Sequence, residues 1–234
     1  MTQDEFLKRL ANRLGQAEPR IAIAPREVVG VPEFWADYWL GFPNRTEKFR
    51  EELEKLGAKS EVTPDTTALN ERLRQLLVDL HPTRVGVWGG DSLSGFELEG
   101  TLATYSVVSW NSGMTAQSIQ TQFAEVDIGI TGCDFAVADT GSVVLLASAD
   151  KGRAVSLLPS IHVVLVRESQ IWTRMGEVFT QIEERRKEYG EIPSSINFIS
   201  GPSRSSDIEN DLSIGVHGPA AVFVLILQDQ SVSK

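Results

Sequence analysis

Short apolar runs rich in valine, isoleucine and leucine recur along the chain, with helical patterns between them. Each run is continuous and bounded by turn-forming residues, which is typical of strands buried on both faces of a sheet. One intervening segment, residues 171–188, has the spacing of a helix with Ile171, Val178 and Phe179 facing inward. Strands that alternate with helices predict an α/β domain with a mostly parallel sheet. The apolar runs are residues 84–88, 105–110, 126–130, 161–166 and 221–227.

The N-terminal part of the chain departs from this pattern. Thr2 and Glu5 have the spacing of a capping box, and apolar residues follow at helical intervals, so we expect a first helix. Residues 16–44 contain several prolines and clustered aromatic residues, which predicts an irregular arm that packs on a core or on a partner. The expected divisions are a helical and irregular extension over residues 1–60, the α/β domain over residues 61–228 and a tail over residues 229–234.

The charge of the chain excludes some classes of partner. A formal net charge of -10 and a pI near 4.9 argue against nucleic acid or an anionic membrane surface as the main partner. No apolar stretch is long enough to cross a bilayer, and the N-terminus does not resemble a signal peptide, so a cytoplasmic location is expected. Cys133 is the single cysteine, so this chain alone forms no intrachain disulfide and no cysteine-ligated cluster.

A polar turn after the apolar residues 196–199 has the composition of an anion site. Glycine allows the backbone to approach a ligand closely, serines donate hydrogen bonds, and a guanidinium matches a carboxylate or phosphate. We expect a helix carrying Asp207 and Glu209 to begin after the serines and to add unpaired N–H groups. The alternative is a structural turn in which a serine only caps that helix. The ligand-binding candidates are Gly201, Pro202, Ser203 and Arg204.

A second polar turn, read as Asp-Thr-Gly-Ser, lies between apolar walls within residues 131–147. A strand, a short turn or helix and another buried strand fit in this segment. The same tetrapeptide occurs in aspartic proteases, where two such loops face each other on an all-β scaffold, but the helical segments of this chain oppose that interpretation. The turn either binds a ligand or only satisfies its own backbone N–H groups. Its members are Asp139, Thr140, Gly141 and Ser142.

The histidines and the cysteine offer few further sites. The three histidines are scattered without the paired spacing of metal ligands, so no metal site is predicted. His162 lies in an apolar run and is expected to be structural. His217 lies at the mouth of the last apolar run, where it either reaches a ligand as acid or base or fixes a turn. Cys133 is either a thiolate nucleophile or, as we favour, a small buried hydrophobic residue.

Four motifs in register carry a resemblance to a known family. They are, in chain order, T-G-C-D-F-A-V-A-D-T-G-S-V-V-L, L-L-P-S-I-H-V-V-L-V, G-P-S-R-S-S-D-I-E and G-V-H-G-P. Together they resemble the LUD-domain proteins over residues 84–227. The chain departs from the family at Ser205 and Ser206, where Thr-Ala is common; serine, threonine and alanine are all small, so the turn should survive.

The resemblance implies a fold and a pathway. The fold would be a three-layer α/β/α sandwich with a mostly parallel sheet, similar to that of sugar isomerases and CoA transferases. The pathway would be the oxidation of L-lactate to pyruvate alongside two iron–sulfur partner subunits. No cofactor is then expected in this chain, and the iron–sulfur clusters are expected in those partners.

The two polar turns together predict a pocket for a small carboxylate or another small anion. Arg204 would pair with the carboxylate, and the hydroxyls and backbone N–H groups of both turns would line the pocket. The candidates for proton transfer, or for orienting the guanidinium, are His217, Asp139, Asp207 and Glu209.

Two alternatives stay open. The chain could be a stand-alone enzyme that transfers or cyclises an acyl or formyl group, with Glu97 or Glu99 as the reactive carboxylate. It could instead be a scaffold whose aromatic arm, around Trp35 and Trp39, docks a partner.

Overall fold

A computed structural model describes residues 2–19, 40–190, 192–206 and 212–229. The chain forms two compact units, residues 1–38 and 39–234. Four residues with predicted roles lie outside the described ranges, so the structure does not place their side chains. They are Trp35, Trp39, Asp207 and Glu209.

The described part of the first unit contains helix α1, Gln3–Arg13. The Thr2 hydroxyl accepts a hydrogen bond from the backbone N–H of Glu5, and the Glu5 carboxylate accepts one from the backbone N–H of Thr2. This reciprocal capping box satisfies two N–H groups at the start of the helix, as the sequence predicts. Phe6 and Leu10 are exposed.

In the described part of the second unit, helices alternate with strands, which form a six-stranded, a four-stranded and a two-stranded sheet. Among the described residues, no helix combines the length and the apolar character that a membrane span needs. The further helices are α2 Phe42–Lys55, α3 Thr66–Leu80, α4 Glu99–Leu102, α5 Ala116–Phe123, α6 Ala154–Leu157 and α7 Met175–Tyr189. The strands are β1 Lys59–Thr63, β2 Arg84–Val87, β3 Ser106–Ser109, β4 Ile128–Thr131, β5 Phe135–Val137, β6 Ser142–Leu146, β7 Ile161–Arg167, β8 Ile171–Trp172, β9 Ile196–Ile199, β10 Arg204–Ser206, β11 Leu212–Ile214 and β12 Ala221–Leu227.

The main sheet has the strand order β1-β12-β7-β4-β2-β3, and all of its neighbouring strands are parallel. Its inner strands are buried on both faces, so their side chains read as continuous apolar runs rather than as an alternation. The connection from β2 leads outward to β3, whereas β4 lies on the other side of β2. The carboxyl ends of β2 and β4 therefore flank the point at which the strand order reverses, the usual ligand position in open α/β sheets.

A second sheet, in the order β8-β5-β6-β9, covers one face of the main sheet. Successive side chains of its strands point to opposite sides. Ala136 and Val143 join the core of the main sheet, whereas Phe135 and Val144 pack with Val178 of α7. The second sheet thus lies between the main core and α7.

Helices complete the layers on both sides. Helix α3 packs on β1 and β12, and α6 packs on β4. Gly129 of β4 permits this approach, because a Cβ there would lie 1.8 Å from the carbonyl oxygen of Val155. The domain is an α/β sandwich with a mostly parallel main sheet, as the sequence predicts. The separate second sheet is an addition that the strand pattern did not reveal.

One expectation about local structure is wrong, and another falls outside the described residues. Arg204–Ser206 is strand β10, which pairs antiparallel with β11, and the helix predicted to carry Asp207 and Glu209 falls on residues that the structure does not describe. Pairing with a strand from a later segment satisfies this backbone. Phe179 does not face inward but is 52% exposed, although its ring contacts that of Phe198. Ile171, which was expected to be in the same helix, belongs to strand β8, and helix α7 begins at Met175.

Candidate functional site

The two polar turns predicted from the sequence meet at one end of the β6–β9 strand pair. Because these strands are antiparallel, with Val143 opposite Ile199, the turn before β6 lies beside the turn after β9. The Ser142 and Ser200 hydroxyl oxygens are 2.7 Å apart, and the Thr140 hydroxyl donates to Ser142 Oγ at 2.8 Å. A chain of three hydroxyl groups therefore ties the turns together.

Both turns pack against the C-terminal end of α2. A Cβ on Gly141 would lie 2.7 Å from the backbone nitrogen of Leu53, and one on Gly201 would lie 2.9 Å from Leu56 Cβ. Both glycines have positive φ, so the turns need glycine for conformation as well as for space. The Arg204 guanidinium donates to the carbonyl oxygen of Leu56. Helix ends expose such unpaired carbonyls, and a cation near them is favourable.

The segment that carries His217 borders the same region. The backbone N–H of Ser203 donates to the Pro219 carbonyl at 2.9 Å, and the backbone N–H of Gly215 donates to the Ser203 carbonyl at 3.0 Å. His217 itself is exposed, as are Arg204 and Thr140. The two polar turns thus meet at the end of α2, the His217 loop is hydrogen-bonded to the second of them, and exposed side chains of all three face solvent.

The remaining members of the two turns are less accessible. Ser142, Gly141 and Gly201 are buried, and Pro202 and Ser203 are partly buried. Asp139 is partly buried, and its backbone N–H donates to the Thr173 carbonyl at 3.1 Å. The buried residues therefore shape the turns, and the exposed residues are the ones that a ligand can touch.

Comparison with known proteins assigns the family. The family model described as LUD domain matches residues 46–227. The chain belongs to the LUD-domain family. Its resemblance is not confined to that segment: the lactate utilization protein C of Bacillus subtilis is 30% identical over an alignment of 246 positions, gaps included, that covers 97% of each chain. The lactate utilization protein C of Halalkalibacterium halodurans is 28% identical, covering 97% of this chain and 98% of its own.

One solved structure supports the fold of the LUD domain. The crystal structure of a DUF162 family protein from Deinococcus radiodurans aligns with a TM-score of 0.59 and 22% identity, covering 80% of this chain and 99% of that one. The segment matched by the LUD domain includes most of α2, both polar turns and the His217 loop. The residues that meet at the end of α2 are therefore part of the domain and not of the N-terminal extension.

The carboxyl ends of β2 and β3 in the LUD domain are covered by the chain itself. The backbone N–H of Gly89 donates to the Asp150 carbonyl at 2.9 Å, and the Trp110 indole N–H donates to the Ala149 carbonyl at 2.9 Å. Gly152 lies against the Trp110 ring, where a Cβ would be 2.1 Å from the indole carbons. Residues 149–152 thus form a loop that covers the carboxyl ends of these two strands.

Cys133 and His162 are buried in the LUD domain. Burial raises the pKa of the Cys133 thiol, which lies 3.5 Å from the side-chain oxygen of Gln170, so the thiolate is disfavoured. Burial also lowers the pKa of His162 to about 3. His162 Nε2 lies 2.9 Å from the Thr131 hydroxyl, and the two residues sit on neighbouring strands. Both residues have the structural environments that we favoured.

A charged cluster near the end of β4 was not anticipated. Asp134 lies just after that strand and contacts Lys151 at 2.7 Å and Arg185 at 3.5 Å. A charged residue at the carboxyl end of a predicted parallel strand is a signal that sequence reasoning could have used. Its two cationic partners come from a later loop and from α7, so no local pattern reveals them.

The other proposed chemistries find less support in the geometry. Glu97 and Glu99 are exposed, and Glu97 accepts a long hydrogen bond from the Thr66 hydroxyl at 3.4 Å. Within the described ranges, no three His, Cys, Asp or Glu side chains are placed to hold a metal ion.

Proposed function

We propose that this chain is a component of a lactate-utilisation system and supports the oxidation of L-lactate to pyruvate together with iron–sulfur partner subunits. The observation that carries the proposal is the similarity to lactate utilization protein C along nearly the whole of both chains. Oxidation of L-lactate releases two electrons and two protons. With a single cysteine, this chain cannot supply the thiolate set of a cluster, so the partner subunits take up the electrons.

The small carboxylate binds where the two polar turns and the His217 loop meet. Arg204 is exposed there and pairs with the carboxylate. A guanidinium carries five N–H donors, so Arg204 keeps its hydrogen bond to Leu56 while it binds the ligand. When the ligand binds, the exposed Thr140 hydroxyl exchanges its hydrogen bond to Ser142 for one to the carboxylate, and the buried glycines and Ser142 hold the turns in place.

Proton transfer falls to His217 in this proposal. Its ring is exposed on a loop that is hydrogen-bonded to Ser203, next in sequence to Arg204. The imidazole accepts the proton of the lactate hydroxyl, and the hydrogen on C2 leaves with the C–H electron pair to the acceptor that the partner subunits hold. Asp139, partly buried beside Thr140, orients the turn through the contact of its backbone with Thr173.

Growth on L-lactate tests both parts of the proposal. A strain that lacks this protein should fail to grow with L-lactate as its carbon source, and the wild-type chain should restore growth. Arg204→Ala should not restore it, whereas Arg204→Lys should restore it in part, because lysine keeps the charge but loses the planar fork. Arg74→Ala is the control, since Arg74 pairs with Glu71 on an exposed surface of α3.

The outcomes separate the pathway from the site. Normal growth of the deletion strain on L-lactate would contradict the role in lactate utilisation. Normal growth with Arg204→Ala would leave the pathway intact and overturn the carboxylate site. Turnover of an acyl or formyl donor by the purified chain alone would instead favour the stand-alone enzyme.

A further inference from the structure

A large cleft lies at the opposite end of the β6–β9 pair from the carboxylate site. It has a volume of about 980 Å³ and lies between the end of β6, the segment before β9 and the C-terminal half of α7. Ser142 begins β6 and Leu146 ends it, so the two sites are separated by about 13 Å along the strand. The cleft also adjoins the loop after β4, next to the point where the strand order reverses.

The inner wall of the cleft carries more positive than negative charge. Asp134 has a side chain only 6% exposed, and Oδ2 accepts a hydrogen bond from the backbone N–H of Leu146 at 2.9 Å. The other oxygen, Oδ1, faces Lys151 Nζ at 2.7 Å and Arg185 Nη1 at 3.5 Å. Two cations therefore share one buried carboxylate, and a unit of positive charge is left uncompensated at this wall.

Aromatic rings hold both cations in place. The Arg185 guanidinium lies 4.7 Å from the centre of the Phe135 ring, and Lys151 Nζ lies 5.3 Å from that of Trp88. The side chains of Arg185 and Lys151 remain 48% and 25% exposed, so a ligand in the cleft can reach them. A guanidinium that uses part of its fork on Asp134 keeps further N–H donors for a ligand.

The rest of the lining limits the kind of ligand. Ile182, Ile192 and Pro193 give the cleft an apolar wall. Glu184 and Glu188 of α7 also line it, and both are exposed. Their negative charge repels polyanions, whereas the two cations beside Asp134 attract one anionic group.

We infer that this cleft binds an organic anion with a single anionic head group and an apolar body. The head group contacts Arg185 and Lys151 at the inner wall, and the body packs against Ile182, Ile192 and Pro193. The site is separate from that proposed for the small carboxylate and does not depend on it.

The probe 8-anilinonaphthalene-1-sulfonate has this chemistry, since it joins one sulfonate to an apolar aromatic body, and its fluorescence rises on binding. Titration of the folded wild-type protein should give saturable binding that benzenesulfonate reverses. Arg185→Gln should raise the dissociation constant by about tenfold or more, which is the loss of affinity expected for one charge-assisted contact. Arg186→Gln is the matched control, because Arg186 is the next residue of α7 but pairs with Glu183 and does not line the cleft.

A second pair of variants tests the apolar wall. Ile192→Glu should weaken binding of the same probe, and Val78→Glu, at another exposed apolar position on α3, should not. Arg204→Ala should bind the probe like wild type, which separates this cleft from the carboxylate site. Equal affinity of Arg185→Gln and Arg186→Gln, or of Ile192→Glu and Val78→Glu, in proteins with unchanged circular dichroism would overturn the proposal.

Discussion

Gly141 packs directly against the backbone of Leu53, in the last turns of α2. A Cβ at Gly141 would lie 2.7 Å from the Leu53 nitrogen, and the glycine has a φ of 59°. Backbone atoms cannot move aside as a flexible side chain can. This contact therefore fixes the distance between α2 and the first polar turn, and with it the geometry of the proposed carboxylate site.

Replacement of Gly141 by alanine should destabilise the domain by more than the conformational cost alone. Alanine in the left-handed region costs about 1 kcal/mol, and the clash with α2 adds to it. Gly190→Ala is the control, because Gly190 has a φ of 76° but nothing lies within 4 Å of an added Cβ. Urea denaturation should give a larger loss for Gly141→Ala than for Gly190→Ala. Equal losses would show that α2 does not pack closely on the turn.

The hydroxyl pair of Ser142 and Ser200 should contribute a measurable coupling energy. Ser142 is 1% exposed, and its oxygen lies 2.7 Å from that of Ser200. Ser142→Ala removes this partner and also the acceptor of the Thr140 hydroxyl, so we expect a loss of about 1–3 kcal/mol in the free energy of unfolding. A double-mutant cycle with Ser200→Ala should show coupling of about 1 kcal/mol. Simple additivity of the two substitutions would argue against the hydrogen bond.

Stability should fall with decreasing pH because of His162. Burial lowers the pKa of this residue to about 3, below the value of 6.5 for an exposed histidine. Between these two values the unfolded chain binds a proton that the folded chain does not, so the free energy of unfolding decreases as the pH falls. The decrease is at most about 1.4 kcal/mol per pH unit, and it fades as the pH rises well above 6.5, where both states are unprotonated.

The pH effect is tested with His162→Gln. The free energy of unfolding is measured by denaturation at about pH 7, 6 and 5. Between about pH 6 and 5 its dependence on pH should be steeper for wild type than for the variant by an amount that corresponds to about one bound proton. The two proteins should converge in slope above the pKa of an exposed histidine. Identical slopes at all pH values would mean that folding leaves the pKa of His162 unchanged.

Cys133 should be unreactive in the folded protein. The thiol is 6% exposed, and burial raises its pKa, so little thiolate is present near neutral pH. A disulfide reagent such as dithionitrobenzoate should react slowly with the native chain and rapidly after unfolding in guanidinium. Cys133→Ala should keep the ability to support growth on L-lactate. Fast modification of the native protein, together with loss of function in that variant, would restore the nucleophile hypothesis.

The sequence predicted the repeating elements well because their signals are local. The apolar runs that became β2, β4, β7 and β12 are short, continuous and buried on both faces, and that pattern has few structural alternatives. The capping box at Thr2 could also be predicted, since its two residues lie within one turn of helix. Membership in the LUD-domain family followed from motifs that are long enough to be specific.

The sequence was least informative where contacts between separate elements decided the structure. The serines near Arg204 have residue types that suit a helix cap, yet Ser205 and Ser206 are strand residues that pair with β11. Phe179 has the spacing of an inward residue, but α7 covers the second sheet rather than the main one, and the phenylalanine lies at the edge of that contact. The second sheet could not be predicted from the sequence either, because it joins short strands from separate parts of the chain.

The amino-acid sequence alone determined the α/β class, the parallel arrangement of the main strands and the family, because each depends on residues close together along the chain. Only the tertiary structure packed the turns of Gly141 and Gly201 against one end of α2, joined the His217 loop to Ser203, and gathered Asp134, Lys151 and Arg185 at the wall of a cleft. The physical reason is that these meetings depend on how the sheets and helices pack as a whole. Hydrophobic burial fixes that packing collectively, so no short stretch of residues records which distant side chains it will bring together.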